Sequence, residues 1–432
     1  MSCPESNGTG RVLCMTILME SNFSAASKGH VRDENGDSPM DTTIGREAAA
    51  NSECVQACRN IVRVTSLAFL CTLALSWRAY IPTERIFALS PVIEIFRSTP
   101  VWLDWIILIL NIGCLVWLVI KPLQRAPAGG ALVCTVFGVL EDLLRFQPYT
   151  YMYCFTILWA VFFTSRSIGA LKIMVASVYV WGGVHKINAT FFLSLFPEFI
   201  EPLYLFPKEP SLLAALIVLA MFFVPVFEAT IGLLLVFSPR ERRLATGMAF
   251  VMLVVVLTSL GLDDDAWNLI VWPWNIYLFL LVFMLLYMPA RADEKVYLRF
   301  DMPTLATIVL FSITPALGLF GWGHSYPAFK LYSGNTKRAE VILSQDENMA
   351  RLPNSLRQLI GRAHRLPLVD WTADEFELVV YPESYVFRRG AKGLCPYLSD
   401  GQHAKLRVYD PPSFYSIDTT YQDFPLCAEE SD

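Results

Sequence analysis

The chain has 432 residues, of which 54% are hydrophobic and only 17% charged, with a mean hydropathy of +0.45 and a net charge of −5. A soluble domain carries about 25% charged residues, so this deficit excludes a soluble enzyme and a wholly disordered chain. The acidic balance leaves no basic field for phosphates, which excludes a nucleic-acid binder.

Residues 1–60 are polar and rich in Ser, Asn, Gly and Asp. Such a stretch buries too little apolar surface to offset chain entropy and reads as a disordered tail. Its apolar run Val12 to Met19 is too short to cross a bilayer, and no clear cleavage site follows it. Residues 61–322 contain nine apolar runs, at 61–80, 101–120, 127–144, 150–165, 168–186, 211–237, 243–261, 267–288 and 303–322. A spanning helix needs about 20 mostly apolar residues. The expected fold is therefore an all-α polytopic membrane protein of about nine transmembrane helices. Residues 323–432 are polar enough for a small C-terminal extramembrane domain of α+β type. In it Phe376–Tyr381 and Tyr385–Phe387 read as strands, and Leu352–Ala363 as an amphipathic helix.

Lys121 and Arg125, Arg166, Arg240 to Arg243, and Arg291 to Arg299 follow alternate runs. Basic loops stay cytosolic, so the 187–210 loop and the C-terminal domain are expected outside or in a lumen. Arg85 and Arg97 run against this scheme. Cys395 and Cys427 then face an oxidising space, either as a disulfide or as two free thiols.

Ionisable groups within lipid are costly and mark function by default. The densest cluster is Tyr179-Val-Trp-Gly-Gly-Val-His-Lys-Ile-Asn188. Tyr179, Gly182 and Lys186 share one helical face, and Gly182 and Gly183 admit a close neighbour or a flat ligand. Burial at the outer end of this helix disfavours the ammonium form of Lys186, and a neutral amine is a base for a phenol-like hydroxyl. The plainer reading is a lysine whose ammonium reaches the interface while its stem stays in lipid. His185 reads as an interfacial histidine with no second ligand beside it.

Glu228 follows the helix-bending Pro225 and needs a proton or a basic partner, for which Lys186 is the expected choice. Packing through a hydrogen-bonded carboxyl is the alternative. Asp263, Asp264, Asp265 and Asn268, with Trp272, Trp274 and Asn275, form either an interfacial aromatic belt or the rim of a cavity on the Lys186 face. Asp104, Glu141 and Asp142 read as interfacial charges. Asn188-Ala-Thr190 is a glycosylation sequon close to the bilayer. The adjacent Asp263, Asp264 and Asp265 carboxylates could also hold a divalent cation, but no paired-His zinc motif, phosphate loop or nucleophile elbow is present.

The run Val178-Tyr-Val-Trp-Gly-Gly-Val-His-Lys-Ile-Asn-Ala-Thr-Phe191 resembles the signature helix of the vitamin K-dependent gamma-carboxylase superfamily. That superfamily includes the HTTM (horizontally transferred transmembrane) proteins, with DoxX-like redox membrane proteins as distant relatives. Tyr179, Gly183, Lys186, Ile187, Asn188 and Phe191 occupy the motif's places. The resemblance implies a vitamin K-like quinol as cofactor, Lys186 as the base that deprotonates it, and Glu228 as its electrostatic partner. Together with the reading of the residues above, the candidate substrate contacts are Tyr179, Gly182, Gly183, His185, Asn188, Trp272, Trp274 and Asn275. The carboxylase's Asn-His pair is replaced here by Gln147-Pro148, and the short tail leaves little room for a propeptide-binding domain. Two other functions fit the same residues. One is a DoxX-like non-catalytic subunit serving a redox partner protein, and the other is a small-solute or ion transporter using the intramembrane Lys and Glu.

Overall fold

The computed structural model describes residues 39–81, 85–200, 212–237, 241–261, 269–287, 301–343, 351–360, 364–398, 404–412 and 414–427. The bundle helices are α1 (Pro39–Leu75), α2 (Val101–Ile120), α3 (Arg125–Glu141), α4 (Pro148–Phe162) and α5 (Ser167–His185). They continue with α6 (Phe191–Ile200), α7 (Leu212–Phe237), α8 (Arg242–Gly261), α9 (Val271–Tyr287) and α10 (Met302–Gly318). Each of the nine apolar runs thus forms a helix.

Among the described residues, four helical segments are long and apolar enough to cross a membrane: Ser52–Leu75, Val101–Ile120, Thr164–His185 and Arg243–Leu260. They mark the chain as a membrane protein. The expected nine spans are corrected by length, since α4 has 15 residues and α3 and α9 have 17 each. At about 1.5 Å per residue, 15 residues cover about 22 Å of the roughly 30 Å hydrocarbon layer. The expected tail is corrected as well, because residues 39–60 are helical and belong to α1. Residues 1–38 lie outside the described part.

The hairpin of α2 and α3 shows how lipid-facing helices pack. On α2 the buried positions are Asp104, Leu108, Asn111, Leu115 and Leu118, a spacing of four and three that makes one stripe. Trp102, Trp105, Ile109 and Ile120 point outward and are exposed. The buried residues of α3 include a run of small ones, Ala128, Ala131, Thr135 and Gly138. Small residues let the backbones approach, and Asn111 Nδ2 donates to Thr135 Oγ1 at 3.3 Å.

Helix ends show which loops share a side. At one end of the bundle, Cys54 Sγ and Cys58 Sγ donate to the Thr164 carbonyl, joining α1 to the α4–α5 turn. At the other end, Val92 N–H donates to Leu140 O, and Ala189 N–H to Phe414 O. That end carries the C-terminal domain.

The C-terminal domain holds a four-stranded antiparallel sheet in the order β2-β1-β3-β4. Its strands are β1 (Arg338–Leu343), β2 (Arg365–Pro367), β3 (Ala404–Tyr409) and β4 (Tyr421–Pro425). In register Val341 faces both Leu366 and Leu406, and these three residues are fully or almost fully buried. Helices α11 (Asn354–Leu359), α12 (Leu368–Phe376) and α13 (Ser384–Ala391) accompany the sheet. The segments read as strands are corrected: Phe376 ends α12, and Tyr385–Phe387 lie within α13. Val386, Phe387, Gly390 and Ala391 are buried at helical spacing, whereas a three-residue window shows only an apolar cluster.

The domain grips the loop after α1. Ile86 and Phe87 N–H groups donate to the Glu375 carboxylate at 2.5 and 3.1 Å. The Phe87 ring meets Trp371 edge-on at 5.1 Å. Cys395 and Cys427 form a disulfide across 32 residues, which resolves the two alternatives for that pair. A cross-link over a loop of this length contributes about 3–4 kcal/mol by restricting the unfolded chain. Cys395→Ser should therefore lower the unfolding midpoint of the full-length protein, and reductant should do the same to the wild type.

Candidate functional site

Lys186 and Glu228 meet. Lys186 Nζ donates to Glu228 Oε2 at 2.5 Å, and both residues are 8% exposed. The contact exists because α5 and α7 cross with almost no space between them. A Cβ on Gly183 would overlap the Pro225 carbonyl, and one on Gly232 would overlap the Ala176 carbonyl. A Cβ on Gly182 would sit 2.7 Å from Glu228 Oε1. The three glycines bring α7 against α5 in antiparallel fashion, so that Glu228 reaches the last turn of α5.

The ion pair lines a cavity of about 320 Å³. Its other walls are Val178, Tyr179, Phe191, Phe196, Phe227, Met252, Val256, Trp274 and Leu278, with Asn275 as a further polar group. The outer wall is the segment Phe329, Leu331 and Tyr332, which follows α10. Phe223, Val251 and Val255 line the cavity and are also exposed, so it opens between α7 and α8 on the lipid-facing surface. Lys186 and Glu228 are the charged residues of this lining. An apolar volume with a few convergent polar groups is the usual form of a small-molecule site.

Of the expected site residues, the structure brings Lys186, Glu228, Tyr179, Gly182, Trp274 and Asn275 to the cavity. Trp274 is held by its indole N–H, which points to Met152 Sδ at 3.3 Å. Four expected contacts are corrected. Gly183 serves the helix crossing and does not line the cavity. His185 is 2% exposed on another face of α5, beside the Trp181 ring and Gly318. Trp272 is absent from the cavity wall because it stands two residues before Trp274 on a helix, about 200° around the axis.

Asn188 is the fourth. Its Nδ2 donates to His185 O at 2.8 Å and to Ser333 O at 2.7 Å, while its Oδ1 accepts the Phe191 N–H at 2.9 Å. The side chain therefore ends α5, starts α6 and ties both to the C-terminal segment. With both amide hydrogens engaged and 5% exposure, the sequon is inaccessible. Endoglycosidase treatment should leave the mass at Asn188 unchanged.

Sequence reasoning missed Phe191, Phe196, Phe329, Leu331 and Tyr332. The first two belong to α6, inside what reads as a loop, where the run of Phe191, Phe192, Leu195, Phe196 and Phe199 carries a helical spacing. The other three arrive from beyond the last bundle helix. Phe329 and Tyr332 have φ of 56° and 54°, a region that bulky residues seldom enter. Lys330 between them points away toward Gly318, and burial pushes its ammonium group down from the usual lysine range, opposed by Glu383. Asp263, Asp264, Asp265 and Asn268 lie outside the described residues.

The charges read as interfacial are buried instead, Glu141 and Asp142 in ion pairs and Asp104 outside them. Arg145 bonds Glu141 at 2.6 Å and Arg85 bonds Asp142 at 2.7 Å. Gln147 donates from Nε2 to Leu144 O and Val379 O, both at 2.9 Å, and so fastens the start of α4 to the C-terminal domain. No family model, curated protein or solved structure matches the chain.

Proposed function

We propose that this chain is a multi-pass membrane protein of the HTTM and gamma-carboxylase type, which binds a quinol in the cavity and uses Lys186 as its base. The observation that carries this reading is one amine, paired with one carboxylate, facing an otherwise apolar cavity open to lipid. A flat aromatic headgroup with hydroxyls fits such walls, and a bound quinol would supply the ionisable hydroxyl and the two-electron redox chemistry.

The residues' part is proton handling. Lys186 Nζ donates to Glu228 Oε2, and the sequence begins with transfer of that proton to the carboxylate. This converts ammonium and carboxylate into amine and carboxylic acid, with no change in net charge. The freed Nζ then takes a proton from a ligand hydroxyl. Tyr179 and Asn275 flank the pair and orient the ligand. Carboxylation of glutamate is not part of the proposal, because Pro148 stands where the family has histidine and the amide of the neighbouring Gln147 is consumed in the joint.

A C-terminal domain on the extracytosolic side agrees with the Cys395–Cys427 disulfide, since such bonds persist in oxidising compartments. It also agrees with Lys121, Arg125 and Arg166 at the opposite end of the bundle. The test is purification in detergent, extraction of bound lipid, and quinol oxidation by wild type and Lys186→Ala. A co-extracted quinone and loss of oxidation in the variant are expected. Uptake driven by a proton gradient and lost in Glu228→Gln would favour the transporter instead. Co-purification of a redox partner, with no activity in the isolated chain, would favour the DoxX-like subunit.

A further inference from the structure

A second buried polar cluster lies away from the cavity, where the loop after α1, the first turn of α2 and the α3–α4 turn converge. It contains Arg85, Asp104, Glu141, Asp142 and Arg145, whose side chains are all buried. Two ion pairs account for four of these charges. Arg85 Nη1 bonds Asp142 Oδ2, and Arg145 Nη1 bonds Glu141 Oε2. Asp142 Oδ1 is also filled, accepting from Ser90 N–H at 3.3 Å and Leu144 N–H at 3.2 Å.

Asp104 is the fifth charge and has no cation of its own. It is 3% exposed, and among the described residues neither carboxylate oxygen has a donor. The side chain it meets is Glu141, whose Oε1 likewise has no donor. Two arginines against three carboxylates leave one negative charge in excess at a place shielded from water. Burying an uncompensated charge costs several kcal/mol or more, so the site must bind one positive charge. Two carboxyl groups in contact solve this with a proton, which fills a bare oxygen on each.

We infer that Asp104 and Glu141 form a proton-binding site, with the proton carried by Asp104 and donated to Glu141 Oε1. The assignment within the pair follows from the partners: Glu141 is bonded by Arg145 at 2.6 Å, whereas among the described residues no hydrogen-bond donor reaches the Asp104 oxygens. Among the described residues, the Tyr80 ring lies under Arg145 at 5.2 Å, and the Phe376 ring of the C-terminal domain lies under Arg85 at 4.6 Å. The proton therefore completes the charge balance of the joint on which that domain rests.

Infrared difference spectroscopy of the full-length protein in lipid nanodiscs tests this. Wild type minus Asp104→Asn should show loss of one protonated-carboxyl carbonyl stretch per chain, sensitive to D2O, with no loss of carboxylate bands. Asp104→Asn should also fold with an unfolding midpoint at or above the wild type's, because a neutral amide needs no proton. Loss of a carboxylate band instead, or a wild-type stability that rises with sodium or potassium concentration, would show a metal cation in the site and overturn the inference. Should the variant fail to fold, wild-type protein labelled with 13C at the aspartate side-chain carboxyl gives the same answer. The protonated-carboxyl band shifts if Asp104 holds the proton, and an unshifted band overturns the assignment.

Discussion

Replacing Lys186 by methionine should cost the protein about 3–5 kcal/mol of stability, and adding Glu228→Leu should return most of it. The single variant leaves the Glu228 carboxylate 8% exposed in an apolar cavity with its ammonium partner gone. The double variant removes both charges and both desolvation costs, and two apolar side chains of similar length fill the same space. Unfolding midpoints of the three proteins in one detergent check the pattern. The double variant also separates architecture from chemistry: it should fold as well as the wild type and oxidise no quinol. A double variant as damaged as the single one would mean that the pair positions helices in a way apolar packing does not replace.

The pairing of Lys186 with Glu228 was legible because lipid leaves few options for two intramembrane charges 42 residues apart in the chain. The same rule failed to separate neighbours on one turn. His185 and Lys186 are adjacent and both buried, yet they face different surroundings, and a helical wheel alone does not show which face meets the cavity. The apolar runs were legible as helices, since 15 or more apolar residues in sequence satisfy their backbone in no simpler way. Their status as spans was less so, because α4 ends at Phe162 where the Thr164–Arg166 turn begins. Least legible was the joint between bundle and C-terminal domain. Glu375 closes on Ile86 and Phe87, and Gln147 on Val379, across 232 residues or more. No local pattern encodes such contacts, so Glu141 and Asp142 read as interfacial charges until the fold supplies their partners.

The second large effect concerns a side chain that is not there. Gly183→Val should destabilise the protein by about 3 kcal/mol or more, because a branched side chain must displace the Pro225 carbonyl and with it the whole of α7. Alanine at the same position places its Cβ in that overlap and should cost less but keep the sign. The displacement is directional: moving α7 off α5 at Gly183 also carries Glu228 away from Lys186, which lies three residues further along α5. Loss of stability and loss of quinol binding should therefore appear together. Gly169, on the same helix, is the control, since a Cβ there meets nothing within 4 Å. Gly169→Ala should raise the unfolding midpoint slightly, as alanine is favoured over glycine in a helix by up to about 1 kcal/mol. Opposite signs for the same substitution at Gly183 and Gly169 would locate the requirement in the α5–α7 crossing. Equal effects would assign it to helix flexibility, and the cavity would then owe nothing to the close approach of the two backbones.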